Sequence, residues 1–289
     1  MALRLGYNTN GLAHHRLGDA LRLVADLGYA GCALTLDHHH LDPFEADLPA
    51  RTARVGALAR DLGLGLVIET GARFLLDPRR KHEPTLLSPE PEGRARRMEF
   101  LERSMDIAAD LGAECVSLWS GASADPDRAG LWGRLLPGVE DLARAAERRD
   151  VVLGFEPEPG MLVECVDDYL RLRAAVDSPA LRLTLDLGHC ILTEPGEPAD
   201  AVRRCAGELV NVHAEDMRRP RHEHLPFGEG EMDYAPILRA LAEVRYDGLV
   251  NVELSRDSHR GPEMARAAIG YLRAAEAASA TEEAGAGDR

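Results

Sequence analysis

The runs GFEPEP (residues 154–159), LTLDLGH (183–189), VNVHAED (210–216) and VNVELS (250–255) decide the fold that we predict for this chain. Each run is short and rich in Val, Leu or Phe, which is typical of a strand buried on both faces of a parallel sheet. Each carries one acidic residue or histidine toward its carboxyl end: Glu156, Asp186, His213 and Glu253. These lie 27 to 40 residues apart, which leaves room for a helix and two loops. Four successive βα units would bring the four side chains to one end of one sheet.

The same alternation of strand and helix extends outward along the whole chain. Strand-like runs precede amphipathic helical runs eight times, and no Pro/Ser-rich linker separates them. Eight strictly alternating units favour a closed (β/α)₈ TIM barrel over an open doubly wound sheet, and one such barrel takes about 250 residues. We therefore predict a single α/β barrel domain over residues 1–275. Small and polar residues favour a disordered tail over residues 276–289.

Composition narrows the class of protein. The net charge of −15 argues against general binding to nucleic acid or to an anionic membrane, which needs a basic face. The first residues contain no apolar segment with a cleavage site, and no apolar run reaches the roughly 18 residues of a membrane span. We therefore expect a cytoplasmic protein. Lys81 is the only lysine beside many arginines, which we interpret as codon bias.

The four strand-end residues predict a metal site. Three carboxylates and an imidazole that converge in a buried place would repel one another or stay unpaired unless a cation lay between them. Oxygen ligands with one imidazole suit a single divalent ion such as Mn²⁺, Mg²⁺ or Co²⁺, and Zn²⁺ fits as well. Any one of these residues alone is more typical of a capping or salt-bridged side chain. Their matched positions in successive strands favour the metal.

The pattern resembles the xylose isomerase-like TIM-barrel superfamily of sugar isomerases and epimerases, which includes ketose 3-epimerases and inosose dehydratases. The resemblance rests on Glu156, the D-x-x-H of residues 186–189, the H-x-x-D of residues 213–216, the PFGEGEMDY segment at 226–234 and Glu253. It implies metal binding by the four strand-end residues. It also implies that His189 and an arginine after His213, either Arg219 or Arg221, hold substrate oxygens.

Such a site predicts proton transfer beside a carbonyl group. A metal chelated by a carbonyl and a hydroxyl oxygen would stabilise an enediolate, with Glu156 and Glu253 as base and acid. Epimerisation, isomerisation and dehydration of a sugar, sugar phosphate, inositol or related polyhydroxy ketone all stay open. Two departures from the family are visible. The trinuclear zinc endonucleases of the superfamily carry histidines at the ends of the third and fourth strands, and this chain has none there. Ketose 3-epimerases carry a second glutamate where this chain has Leu162.

Further residues are candidates for the pocket. Trp119 ends the fourth strand and is predicted as a pocket wall, because sugar faces stack on aromatic rings. His224 and its neighbour His222 suit a metal or substrate contact, and a solvated loop equally. Glu69 ends the third strand and either lines the pocket or pairs with an arginine. The long loop at residues 71–93 carries a basic cluster that covers an anionic substrate or is a solvated lid.

Two other functions stay open at this point. A second metal bound by His222 and His224 would suit hydrolysis of a phosphoester. A barrel that only binds a metabolite of a biosynthetic pathway, with the long loop as its docking surface, is the non-enzymatic alternative. The expected partner is a small polyhydroxy substrate, with no nucleic acid and no membrane. The oligomeric state is open, and a homo-oligomer is one possibility.

Overall fold

A computed structural model of the protein describes the backbone of residues 2–287 and the side chains of residues 2–279. Eight parallel strands within this range close into a barrel, with neighbours in the order β1-β10-β7-β6-β5-β4-β3-β2. The barrel strands are β1 (Arg4–Asn8), β2 (Gly31–Thr35), β3 (Gly65–Glu69), β4 (Val116–Leu118), β5 (Leu153–Phe155), β6 (Leu181–Asp186), β7 (Leu209–Ala214) and β10 (Leu249–Val252). The predicted TIM barrel is therefore confirmed.

Helices follow the strands and form the outer layer. They are α1 (Leu17–Asp26), α2 (Leu48–Leu62), α3 (Pro91–Leu111), α4 (Arg128–Arg149), α5 (Val166–Val176), α6 (Leu187–Thr193), α7 (Pro198–Arg204), α8 (Tyr234–Glu243) and α9 (Gly261–Gly287). Gly63 and Gly112 end α2 and α3 in the left-handed conformation, with φ of 69° and 64°, which a side chain with Cβ rarely adopts. None of the described helices combines the length and the apolar character needed to cross a membrane.

The core has two parts. The larger part packs the outer faces of the strands against the helices, and it includes Phe100, Leu135 and Phe155. A separate cluster of Ala33, Val67, Cys115 and Leu249 comes from the alternate positions of the strands, so it fills the barrel interior. Above this layer the interior becomes polar: Asn251 donates to the side-chain oxygen of Asn211 at 2.9 Å. The polar layer leads to the carboxyl ends of the strands, where functional residues of such barrels lie.

Two segments differ in detail from the sequence-based expectation. The loop after β7 contains a short antiparallel hairpin, β8 (Asp216–Arg218) and β9 (Arg221–Leu225), which hydrophobic alternation did not indicate because its second strand reads RHEHL. Helix α9 continues past residue 275, and Glu276 accepts a hydrogen bond from the Leu3 amide at 2.8 Å. Residues 276–279 thus pack on the barrel. The side chains from residue 280 onward, and all of 288 and 289, lie outside the described residues, so the predicted tail is untested there.

Candidate metal centre and substrate pocket

The four strand-end residues meet at one point. Glu156 follows β5, Asp186 ends β6, His213 lies in β7 and Glu253 follows β10. One potential ligand atom from each lies within 4.8 Å of the others. Glu156, Asp186 and His213 are buried and Glu253 is partly exposed. The parallel register pairs Asp186 of β6 with His213 of β7, and it pairs His213 with Asn251 of β10, so Glu253 lies two residues further along its strand.

The imidazole of His213 is oriented by the acids on both sides of it. Its Nδ1 lies 3.1 Å from a carboxylate oxygen of Glu156 and 3.1 Å from one of Glu253. Its Nε2 lies 2.9 Å from Oε1 of Glu69, which also accepts from the Asn211 amide at 3.2 Å. A proton on Nε2, donated to Glu69, leaves the Nδ1 lone pair directed at the centre. Such a carboxylate behind a histidine is the usual support of a metal-ligating imidazole.

Charge is concentrated in this buried place. Burial raises the pKa of Glu156 to about 8, against the lowering effect of His213. Burial by itself would lower the pKa of His213, but Glu69, Glu156 and Glu253 raise it well above its usual value. Burial by itself would raise the pKa of Glu253, but the charges of His213 and His224 outweigh it and lower that pKa. Each buried carboxylate therefore depends on a nearby positive charge to stay ionised.

The residues fit a divalent cation. Oδ1 of Asp186 accepts from the His189 amide at 2.8 Å and caps α6, while Oδ2 is buried and has no hydrogen-bond partner among the described atoms. An unpartnered buried carboxylate oxygen costs free energy unless something binds it. Three carboxylates and one imidazole form an oxygen-rich donor set, which hard and borderline divalent ions prefer, and a bound ion would take the place of the proton on Nδ1 of His213.

His189 lies beside the centre. The D-x-x-H spacing places Asp186 at the N-cap of α6 and His189 in its first turn, so both face the end of the barrel. Nδ1 of His189 lies 3.2 Å from the carbonyl oxygen of Pro157, and its Nε2 lies 2.9 Å from Nε2 of His222. The hairpin brings His222 and His224 close enough to His189 to form a second group that could hold an ion.

The structure does not place the two predicted arginines in the pocket. Arg219 donates to the carbonyl oxygen of Ile191 at 2.8 Å and pairs with Glu231 at 2.6 Å, which turns it away from the cavity. Arg221 is exposed at the start of β9 and does not line the cavity either. The arginines that line the cavity are Arg73 and Arg256, and the expected contact of Arg219 or Arg221 with the substrate stays a prediction.

A cavity of about 360 Å³ opens above the centre, a size that suits a small ligand. Trp119 forms part of its wall and is 7% exposed. The guanidinium of Arg97, which sequence reasoning missed, lies 4.3 Å from the Trp119 ring centroid and is fully buried on α3. His82 meets the same ring edge-on at 5.6 Å. Hydroxyl-binding groups line the remainder: Asn8, Asn10, Thr35, Glu158, His189 and His224.

The fold and this centre define an α/β barrel with a candidate metal site at the carboxyl ends of its strands. The chain belongs to the xylose isomerase-like TIM-barrel family, whose model matches residues 21–275.

Individual relatives include sugar epimerases and a dehydratase. The chain is 23% identical over 255 residues to L-ribulose-5-phosphate 3-epimerase of Shigella flexneri serotype 5b, which covers 84% of each chain. It is 27% identical over 143 residues to inosose dehydratase of Lacticaseibacillus casei, covering 44% of this chain and 48% of that protein. The chain thus spans about half the length of several curated relatives that it matches. A solved structure of L-ribulose 3-epimerase shares the fold, with a TM-score of 0.79, 21% identity and coverage of 98% of this chain and 97% of that chain.

Proposed function

We propose that this protein is a divalent-metal-dependent isomerase, epimerase or dehydratase that acts on a sugar, a sugar phosphate, an inositol or a related polyhydroxy ketone. The observation that carries the proposal is the convergence of ligand atoms from Glu156, Asp186, His213 and Glu253 within 4.8 Å, beneath a polar cavity of sugar size. The names of its relatives, which are sugar epimerases and inosose dehydratase, support the same chemistry.

The four residues would hold one ion. When bound, a divalent ion polarises the substrate carbonyl and stabilises the negative charge that develops on an enediolate. His213 is prepared for this role by Glu69, and Asp186 by its cap on α6. Trp119 offers an aromatic face, with a buried cation behind it, against which a sugar ring can stack.

Glu156 and Glu253 would move the proton. Both reach the centre, where each lies 3.1 Å from Nδ1 of His213. Asn10 donates to Oε1 of Glu253 at 2.7 Å, which fixes one oxygen of that carboxylate and leaves the other for the reaction. Removal of the proton by one glutamate and return by the other at the same carbon would epimerise the substrate. Return at the adjacent carbon would isomerise it, and loss of a β-hydroxyl would dehydrate it.

The test is exchange of a substrate hydrogen for solvent deuterium. Protein loaded with Mn²⁺ is incubated in D₂O with ketoses, inososes and sugar phosphates, and deuterium is followed by NMR. We expect exchange into at least one compound, and a loss of about 100-fold or more in Glu156→Gln and Glu253→Gln. Glu231→Gln is the matched control, because Glu231 pairs with Arg219 outside the cavity. Protein that neither retains stoichiometric metal nor responds to Mn²⁺ would refute the proposal.

A second function has one observation in its favour. His189, His222 and His224 form a further group able to hold an ion, next to the first. Two adjacent ions would suit hydrolysis of a phosphoester, in which one ion would activate a water molecule and both would stabilise the charge on the phosphate oxygens. Metal counting separates the two functions. One ion per chain supports proton transfer, and two or more support hydrolysis.

A further inference from the structure

The single lysine of the chain is the starting point. Among the 34 lysine and arginine residues only Lys81 is a lysine, so a codon bias toward arginine would apply to every other position. Codon bias accounts for the arginines but not for the exception. Lysine and arginine are interchangeable on a solvated surface, but they differ where a compact ammonium must fit against a ligand. The exception therefore makes Lys81 a candidate for a specific role.

Lys81 lies at the pocket. It lines the same cavity as Glu156, His213 and Glu253, although it comes from the long loop after β3. None of the described carboxylates forms an ion pair with Lys81, whereas Arg80 next to it pairs with Asp77 at 2.8 Å. An exposed cation at the mouth of a cavity, with no acid of its own, is free to bind an anion that enters the cavity.

The loop holds Lys81 over the cavity through its neighbours. The His82 amide donates to the carbonyl oxygen of Arg73 at 2.5 Å, and Nδ1 of His82 donates to that of Gly71 at 2.6 Å. Arg73 in turn donates to the carbonyl oxygen of Asn10 at 3.2 Å, next to the support of Glu253. These contacts tie both ends of segment 71–82 together at the rim. Lys81 and Arg73 both line the cavity, and Arg73 also lies 3.8 Å from a carboxylate oxygen of Asp37.

The charges around His82 indicate that this rim is electropositive. Burial, together with the charges of Lys81, Arg97 and Arg73, lowers the pKa of His82 to about 4, against the raising effect of its hydrogen bond to Gly71. His82 is thus neutral near pH 7, with Nδ1 used by Gly71 and Nε2 left as an acceptor. The rim therefore contrasts with the floor of the cavity, which carries the carboxylates. A substrate that matches both ends would carry neutral oxygens at the metal centre and an anion at the rim.

We propose that Lys81, with Arg73, binds an anionic group of the substrate outside the metal centre, so that the substrate is a polyhydroxy ketone that carries a phosphate or a carboxylate. The proposal rests on the proposed function for the neutral end of the substrate. It names the substrate class, and it assigns to the basic cluster the role of an anion subsite.

The experiment compares charged and uncharged ligands by calorimetric titration of the Mn²⁺-loaded protein. The pairs are ribulose, fructose and tagatose against their terminal phosphates, and fructose against fructuronate for the carboxylate. We expect the charged member of at least one pair to bind ten-fold tighter or more. Lys81→Met should abolish this preference and leave the uncharged member unchanged. Lys81→Arg, which keeps the charge on a wider group, should lose less. Arg79→Gln, an exposed loop cation outside the cavity, is the matched control.

The outcomes are distinct. A preference for phosphate over carboxylate assigns a sugar phosphate, and the reverse assigns a sugar acid. No preference for the charged member in any pair, or a preference that survives Lys81→Met, would overturn the proposal. Binding is measured rather than turnover, so a charged-sugar preference without deuterium exchange would contradict the proposed function and leave the anion subsite standing. Deuterium exchange confined to uncharged ketoses would support the proposed function and contradict the anion subsite.

Discussion

At the scale of single residues, Glu69 is the site residue whose role the sequence alone does not decide. Its position at the end of β3 allows either a pocket wall or an arginine partner. In the structure Glu69 lines the cavity, and it also accepts from Nε2 of His213 and from Asn211. It is a positioning residue, because it acts on the centre through the imidazole.

The variant Glu69→Gln tests this role. An amide oxygen accepts a weaker hydrogen bond than a carboxylate, so the Nδ1 lone pair of His213 becomes less basic. We expect the affinity for Mn²⁺, followed by electron paramagnetic resonance, to fall about ten-fold or more. Thr70→Ser, a change at the adjacent buried position, is the control. Unchanged affinity in Glu69→Gln would show that Glu69 only fills space.

Buried histidines away from the centre make stability depend on pH. His40 is buried on the loop after β2, and burial lowers its pKa to about 4. In the unfolded chain the His40 imidazole is protonated below about pH 6.5, whereas in the folded protein it stays neutral down to about pH 4. The contribution of His40 to the free energy of unfolding is therefore fully present above about pH 6.5 and is lost as the pH falls toward 4. We expect His40 to account for a loss on the order of 1–2 kcal/mol at pH 5. Urea unfolding of His40→Asn at pH 7 and pH 5 should show a smaller difference than wild type; an equal difference refutes the assignment.

At the scale of elements, α6 and the hairpin build the site. The first turn of α6 must pass close to the buried carboxylate of Glu215, whose oxygen would lie 2.0 Å from a Cβ at Gly188. Glycine is therefore required in the D-L-G-H segment for close approach rather than for an unusual backbone angle. The hairpin supplies His222 and His224. Its second strand, RHEHL, is charged and lacks hydrophobic alternation, so the sequence does not indicate a strand there.

A pair of glycine substitutions tests this packing. Gly188→Ala should overpack α6 against Glu215 and lower the free energy of unfolding by about 1–3 kcal/mol. Gly133→Ala is the matched control in α4, because nothing lies within 4 Å of its added Cβ. It should be neutral or stabilise by up to about 1 kcal/mol. Chemical denaturation measures both. A Gly188→Ala protein as stable as wild type would mean that α6 does not confine Glu215 as described.

At the scale of the whole molecule, the barrel was predictable because strand and helix periods alternate with Gly at helix ends. The four converging residues were predictable for the same reason, since a parallel barrel places the carboxyl ends of all strands together. The contacts that long side chains make could not be predicted from the sequence. Arg219 and Arg221 lie in the hairpin after β7, where Arg219 forms an ion pair with Glu231 and Arg221 is exposed. Arg97 is buried, although its sequence resembles that of a surface residue on a charged helix. Hydrophobic periodicity contains no information about which arginine finds which partner.

The central claim is that one divalent ion is held by Glu156, Asp186, His213 and Glu253. Diffraction from a crystal grown with Mn²⁺, measured at the manganese absorption edge, tests it most directly. We predict one anomalous peak per chain, within about 2.0–2.3 Å of a carboxylate oxygen from each acid and of Nδ1 of His213. No peak at this place, or a peak held by other side chains, would contradict the account.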